Sequence, residues 1–188
     1  DALCGFLREH CEVEKPTVVV KRLKKDASGR WGLQTIWISG NTSESRPVGR
    51  SQPTKSSRVY TLLKNDSRYH KEVVIPDTEA LPEDYEGYKR DAGARGFRSV
   101  IGFPIRGPRD RDTFRRNQVL GILTIDSPLP HAFDCWFAPG SNFAHHEIKP
   151  LRDLEIFYFA ADSIATMIHE LVWFEEKGQS AEVAKGGV

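Results

Sequence analysis

Two segments decide the fold: Arg98-Ser99-Val100-Ile101-Gly102-Phe103-Pro104-Ile105, and then Val119-Leu120-Gly121-Ile122-Leu123-Thr124-Ile125-Asp126-Ser127-Pro128. Each is a short apolar run rich in β-branched residues and closed by turn-forming ones, the pattern of a strand with both faces covered. The interval between them, residues 106–117, holds Arg106, Arg109, Arg111, Arg115 and Arg116 beside Asp110 and Asp112. It is too polar to pack and is expected to project as an exposed hairpin loop. Pro104 lacks a backbone donor and suits an edge or a strand end, while Gly121 clears space for a close neighbour. Asp126-Ser127-Pro128 reads as a turn whose side-chain oxygens satisfy backbone donors.

Working outward, Thr17–Leu23 carries the run Thr17-Val18-Val19-Val20, and Trp31–Ser39 supplies Leu33, Thr35, Ile36, Trp37 and Ile38. The Gly-containing, charged segment 24–30 between them reads as a turn, so the pair is expected to form a hairpin. Residues 40–57 are rich in Ser, Thr, Pro, Gly and Arg and read as a mobile loop. Val59–Lys64 reads as a short helix, Glu72–Ile75 as a short strand, and residues 78–96 as a weak helix or structured loop over the sheet. An aromatic-rich loop with Phe133, Trp136, Phe137 and Phe143 follows the second strong strand. Apolar spacing predicts a helix over Asp1–Glu14 and a long one over Leu151–Lys177, with Pro150 in its first turn. Ile156, Phe159, Met167 and Phe174 lie on a second side of that helix and mark a dimer seam. Residues 178–188 read as a flexible tail.

Length and composition fit this reading. The chain has 188 residues, 39% of them hydrophobic, with 27 Lys plus Arg against 26 Asp plus Glu, and so a formal net charge of +1. That length suits one domain with a substantial core, here residues 1–177. The balanced charge gives no global field for nucleic acid or an anionic membrane, so no nucleic-acid partner is expected. No apolar run approaches the roughly 18 residues of a membrane span. Without an initiator Met or a basic-then-apolar start, the chain reads as a fragment of something longer. Three Cys point to a reducing, cytoplasmic setting. On a helix, Cys4 and Cys11 stand on the order of 10 Å apart, too far for a disulfide, so both read as packed thiols.

The order helix, two strands, loop, strand, aromatic insert, two strong strands, long helix is an α/β (α+β) arrangement on a mostly antiparallel sheet. The two quoted strands, followed by Phe133 and the closing helix, resemble the second half of a GAF domain over roughly residues 97–169; elsewhere only the element order agrees. The resemblance implies a GAF-like, profilin-like sandwich with the terminal helices on one face of the sheet and short helices and loops on the other. It implies a non-catalytic sensory or regulatory module that binds a small molecule on the sheet face and signals through dimerising terminal helices. Two patterns of the family's subclasses are missing: the Asn-Lys-Phe-Asp-Glu set of cyclic-nucleotide members, and a Cys between Pro16 and Asp134. No cofactor is assigned.

For the pocket, the sequence singles out Trp37, Tyr60, Tyr85, Tyr88 and Arg98, flat rings with a polar group that suit a heteroaromatic or nucleotide-like ligand. Each ring also reads as core roofing the sheet. His131, Cys135, His145, His146 and Glu147 raise a metal site, but adjacent His145 and His146 point apart on regular backbone, so a polar loop is the reading and no metal is expected. Cys135, beside Trp136 and Phe137, is read as buried, not nucleophilic. Two rival functions remain: a ligand-free dimerisation module, and a thiol-dependent reductase related to free methionine sulfoxide reductase, which would need Cys135 as its reactive thiol.

Overall fold

The structure, a computed structural model, describes residues 2–11, 13–40, 48–54, 57–65, 72–79, 97–106, 119–141, 150, 154–168 and 170. Its described elements are α1 (Ala2–Cys11), β1 (Thr17–Lys25), β2 (Trp31–Gly40), β3 (Ser51–Pro53), α2 (Arg58–Asn65), β4 (Val73–Ile75), β5 (Ser99–Arg106), β6 (Val119–Ser127), a 3-10 turn (Asp134–Trp136) and α3 (155–168). The strands form one sheet in the order β3-β2-β1-β6-β5-β4, and every neighbouring pair is antiparallel. The fold is α+β.

The two quoted segments pair as β5 and β6, from Ser99↔Ser127 to Arg106↔Val119, and nearly every residue in them is buried. An antiparallel strand is apolar throughout only when both sheet faces are covered. Alternate residues therefore serve two cores. On one face, Ile101, Phe103, Ile105, Leu123 and Ile125 pack with Cys4 and Leu7 of α1 and with Phe157, Ala161, Ala165 and Ile168 of α3. On the other, Val100 and Ile122 pack with Val59, Tyr60, Leu62 and Leu63 of α2. The terminal helices thus share one face and α2 takes the other.

The helical face is bound by aromatic rings. Phe133 meets Trp136 edge-on at 5.3 Å, Trp136 stacks on Phe157 at 5.5 Å, Phe157 stacks on Phe103 at 5.3 Å, and Tyr158 meets Phe103 edge-on at 5.5 Å. This series carries the loop after β6, α3 and β5 into one core, each pair contributing about 1 kcal/mol beyond simple burial.

The β1–β2 turn is built by Asp26, whose Oδ1 accepts from Ser28 N (2.8 Å), Ser28 Oγ (2.6 Å) and Arg30 N (2.9 Å), with Gly29 at φ 77°. Only a residue without a β-carbon takes that φ cheaply.

Several boundaries differ from the sequence reading. Ser51–Pro53, inside the stretch read as loop, pairs with β2; at three residues the strand is too short to show periodicity. Pro150 does not open the last helix. It bridges Phe137, and the helix begins after Leu154, whose carbonyl accepts from Phe157 and Tyr158. Cys135 is exposed, whereas Cys4 is buried, its Sγ 3.7 Å from Pro16 O and 3.5 Å from Ser39 Oγ. The expectations for most of residues 78–96, for the 106–117 loop beyond Arg106, and for 171–188 fall outside the described residues.

Two glycines set how closely the layers approach. A β-carbon on Gly102 would collide with Val59 Cγ1 of α2, and one on Gly121 would collide with the backbone oxygen of Lys21 in β1. A valine methyl can turn aside, whereas a strand carbonyl cannot move without breaking its ladder. Gly121→Ala is therefore expected to cost about 2–3 kcal/mol and Gly102→Ala less, as measured by chemical denaturation midpoints; equal losses would contradict this ranking.

Candidate functional site

The two faces differ in cover. Directly paired residues share a face and successive residues alternate. The face under α2 therefore carries Val19, Ile122, Thr124 and Asp126, together with Lys21, Thr35 and Leu33 of the β1–β2 pair. Thr35, Thr124 and Asp126 are buried there. The opposite face presents Val18, Val20, Leu123 and Ile125 to the terminal helices. Buried polar residues are not confined to the α2 face: Arg22, Ser39, Glu72, Ser99 and Ser127 are buried on the side of the terminal helices, where Ser39, Glu72, Ser99 and Ser127 have partners in α1, α3 and the adjoining loops.

Tyr60 lies over this polar-bearing face. It belongs to α2, is 3% exposed, and packs in the cluster of Val59, Leu63, Val100 and Ile122. Helix spacing explains its place, since Val59, Tyr60, Leu62 and Leu63 all reach the sheet while Lys64 stays outside. Burial pushes the phenol pKa upward. The Lys64 ammonium lies 5.9 Å from the ring centre.

The other predicted pocket residues do not all join it. Trp37 pairs with Val20, so it sits on the face of the terminal helices, 43% exposed. The reason is a β-bulge: the register shifts between Val20 and Lys21, and Ile36 also packs toward the helical core. No alternation count through Thr35-Ile36-Trp37 reveals that inserted residue. Tyr85 and Tyr88 lie outside the described residues.

Arg98 has a different task from the one its sequence suggests. Its Nε and NH2 donate to the two oxygens of Asp77 at 3.0 and 2.7 Å, and its NH1 lies 3.0 Å from Glu79 Oε2. Thr78 N donates to Arg98 O (2.6 Å), and Thr78 Oγ1 donates to Phe97 O (3.2 Å). Residues 77–79 and 97–98 are thereby clasped together, so Arg98 closes the base of the segment that contains Tyr85 and Tyr88. The bidentate geometry is the strong form of an arginine–carboxylate pair. The Arg98 guanidinium holds the Asp77 carboxyl below its usual pKa, and Asp77 in turn raises that of Arg98.

The same sheet end is tied down by hydroxyls. Ser127 Oγ donates to Glu14 O (3.2 Å) and accepts from Leu129 N (3.2 Å), which fits the turn chemistry read from Asp126-Ser127-Pro128. Ser99 Oγ donates to Leu129 O at 2.8 Å. His131, at φ 59°, donates its backbone N–H to Pro76 O (2.7 Å), and its Nδ1 lies 2.9 Å from Asp134 Oδ2. Among the described residues no group of three or more His, Cys, Asp or Glu is placed to hold a metal ion.

A last polar contact links layers. Glu72, buried just before β4, accepts from the Tyr158 hydroxyl of α3. Burial, and then that bond, push the Tyr158 pKa far upward. Neither residue stood out in the sequence, because the pair is 86 positions apart.

No protein-family model matches the chain. Solved structures similar to it include the GAF domain of a two-component sensor histidine kinase from Bacillus halodurans, at 13% identity over 92% of this chain and 95% of that one, with a TM-score of 0.47. A far-red cyanobacteriochrome photoreceptor is 13% identical over 90% of this chain and 84% of its own, TM-score 0.47. A NreA protein from Staphylococcus aureus, mutated in its nitrate binding site, is 15% identical over 66% of this chain and 80% of its own, TM-score 0.43. GAF domains, the family that β5 and β6 resemble in sequence, are thus among the solved structures similar to this chain. At these identities no ligand or activity of theirs transfers to it.

The Arg98 clasp makes a pH prediction. Because the Asp77 pKa is lower folded than unfolded, the pair's stabilisation is in place above the unfolded value of 3.8 and is lost as pH falls through the folded one. Asp77→Asn is expected to cost about 1 kcal/mol at neutral pH, partial exposure of Arg98 having screened the pair. The difference from wild type should shrink steadily in melts as pH is taken below 3.8; a gap that stays constant there would contradict the assignment.

Proposed function

We propose that this domain is a non-catalytic sensory module that holds a small molecule between the polar-bearing sheet face and α2. The observation that carries the reading is Tyr60. Its ring is buried under α2 against the sheet, and its phenolic oxygen brings a polar tip into an otherwise apolar cluster, where a ligand's donor or acceptor would meet it. The buried Thr35, Thr124 and Asp126 of the same face support it. Tyr85 and Tyr88, in the segment whose base Arg98 closes, would complete an aromatic enclosure for a flat heteroaromatic ligand.

Signalling in this proposal runs through the terminal helices. Glu72 links the start of β4, which follows α2 in the chain, to Tyr158 of α3. A ligand that prefers one seating of α2 would bias α3 through that bond, and only such differential affinity can shift the equilibrium. α3 in turn offers Ile156, Phe159 and Met167 to solvent, with Phe159 74% exposed. That apolar side would form the seam of a homodimer through α3 and α1, in a cytoplasmic protein. No described helix is long and apolar enough to cross a membrane.

The ligand-free dimerisation module remains the rival, favoured by the dense packing of Val59, Leu62 and Leu63 around Tyr60. Native mass spectrometry of the purified protein separates the two. The sensory reading expects a co-purified small molecule whose occupancy falls about tenfold in Tyr60→Phe, a variant that keeps the ring and so the fold. A bare protein mass in both would sink it. For the seam, Phe159→Glu is expected to turn a dimer into a monomer in light scattering; a wild-type protein that is already monomeric would contradict the dimer.

A further inference from the structure

We propose that the tip of the β1–β2 hairpin docks on the surface of an anionic lipid bilayer. The chain as a whole is nearly neutral, but the exposed tip, residues 24–31, holds Lys24, Lys25 and Arg30 against the single acid Asp26. The hairpin outruns the β1–β6 ladder, whose last pair is Arg22↔Gly121, and every residue from Lys24 to Trp31 is exposed. Asp26 offsets one of these charges: its carboxylate accepts from Ser28 and Arg30 and lies 3.4 Å from Arg30 Nε, which leaves the tip a net charge of +2 with Lys24 and Lys25 as its outer cations. Both ends of the arginine-bearing β5–β6 connection, Arg106 and Val119, lie at this end of the sheet.

Charge alone would suit any polyanion; the indole selects among them. Trp31 is 49% exposed at the tip, and the Lys25 ammonium sits 5.1 Å from its ring centre. An amphipathic ring flanked by lysines belongs at the boundary between headgroups and acyl chains. Each nearby lysine or arginine adds attraction to an anionic leaflet, within a Debye length of its surface. Single-stranded nucleic acid asks instead for a groove with successive stacking rings. A narrow tip with one indole and cations around it meets a flat surface better than a strand.

The test is flotation of the full chain with vesicles of phosphatidylcholine alone or with about 30% phosphatidylserine, the acidic lipid of a cytoplasmic leaflet. Binding is expected only with the acidic lipid, lost in roughly 0.5 M salt, and weakened about tenfold or more in K24E/K25E. Quenching of tryptophan emission by brominated lipid is expected in wild type and reduced in W31F. Both variants change exposed side chains, so an unchanged melting midpoint confirms their folding, and the salt series on wild type needs no variant. The proposal is overturned by absence of binding to acidic vesicles, by undiminished binding of folded K24E/K25E, or by a preference for a single-stranded oligonucleotide over the vesicles.

Discussion

Burial of β5 and β6 on both faces is the constraint from which the rest of the molecule follows. Two adjacent strands that carry large apolar side chains on both faces cannot leave either face to water; fully burying each such side chain contributes roughly 1.5–3 kcal/mol, so each face needs its own layer. The chain supplies α1 and α3 for one face and α2 for the other. Gly102 and Gly121 sit where these approaches are tightest, one against a helix and one against a neighbouring strand.

The layers differ in what they can do. The terminal-helix side is bound by stacked rings running from Phe133 to Phe103 and by the small residues Ala161 and Ala165, and its buried polar groups are tied up in contacts such as Glu72–Tyr158 and Ser39–Cys4. The α2 side has buried threonines, a buried aspartate and the buried ring of Tyr60. Eight residues of α2 cover the sheet there, against the longer helix α3 and α1 together opposite. In the proposed sensory reading a ligand would enter by displacing this short helix, and the Glu72–Tyr158 bond would carry the displacement to α3.

Much of this architecture was legible in the residues themselves, because it rests on local patterns. The β-branched run at Thr17–Val20, the apolar blocks of β5 and β6 and the α2 stripe each announce their element within a few positions. What could not be read depends on geometry between distant residues. The bulge that turns Trp37 to the other face is one extra residue in a ladder, β3 owes its existence to the edge that β2 offers, and the exposure of Cys135 reflects a 3-10 turn that buries Trp136 instead. Tyr60 was legible as a candidate because an aromatic with a polar tip stands out in an apolar helix face. Arg98 was legible as important, yet its partners Asp77 and Glu79 lie some twenty positions away, and only their convergence shows that the guanidinium clasps a loop base.

The claim at the centre of this account is the asymmetry of the two layers, and amide hydrogen exchange followed residue by residue measures it directly. The account predicts the slowest exchange in β1, β5, β6 and the inner face of α3, and much faster exchange in α2 through local opening of that layer alone. Protection of α2 equal to that of β5 and β6, with α3 opening first, would contradict it.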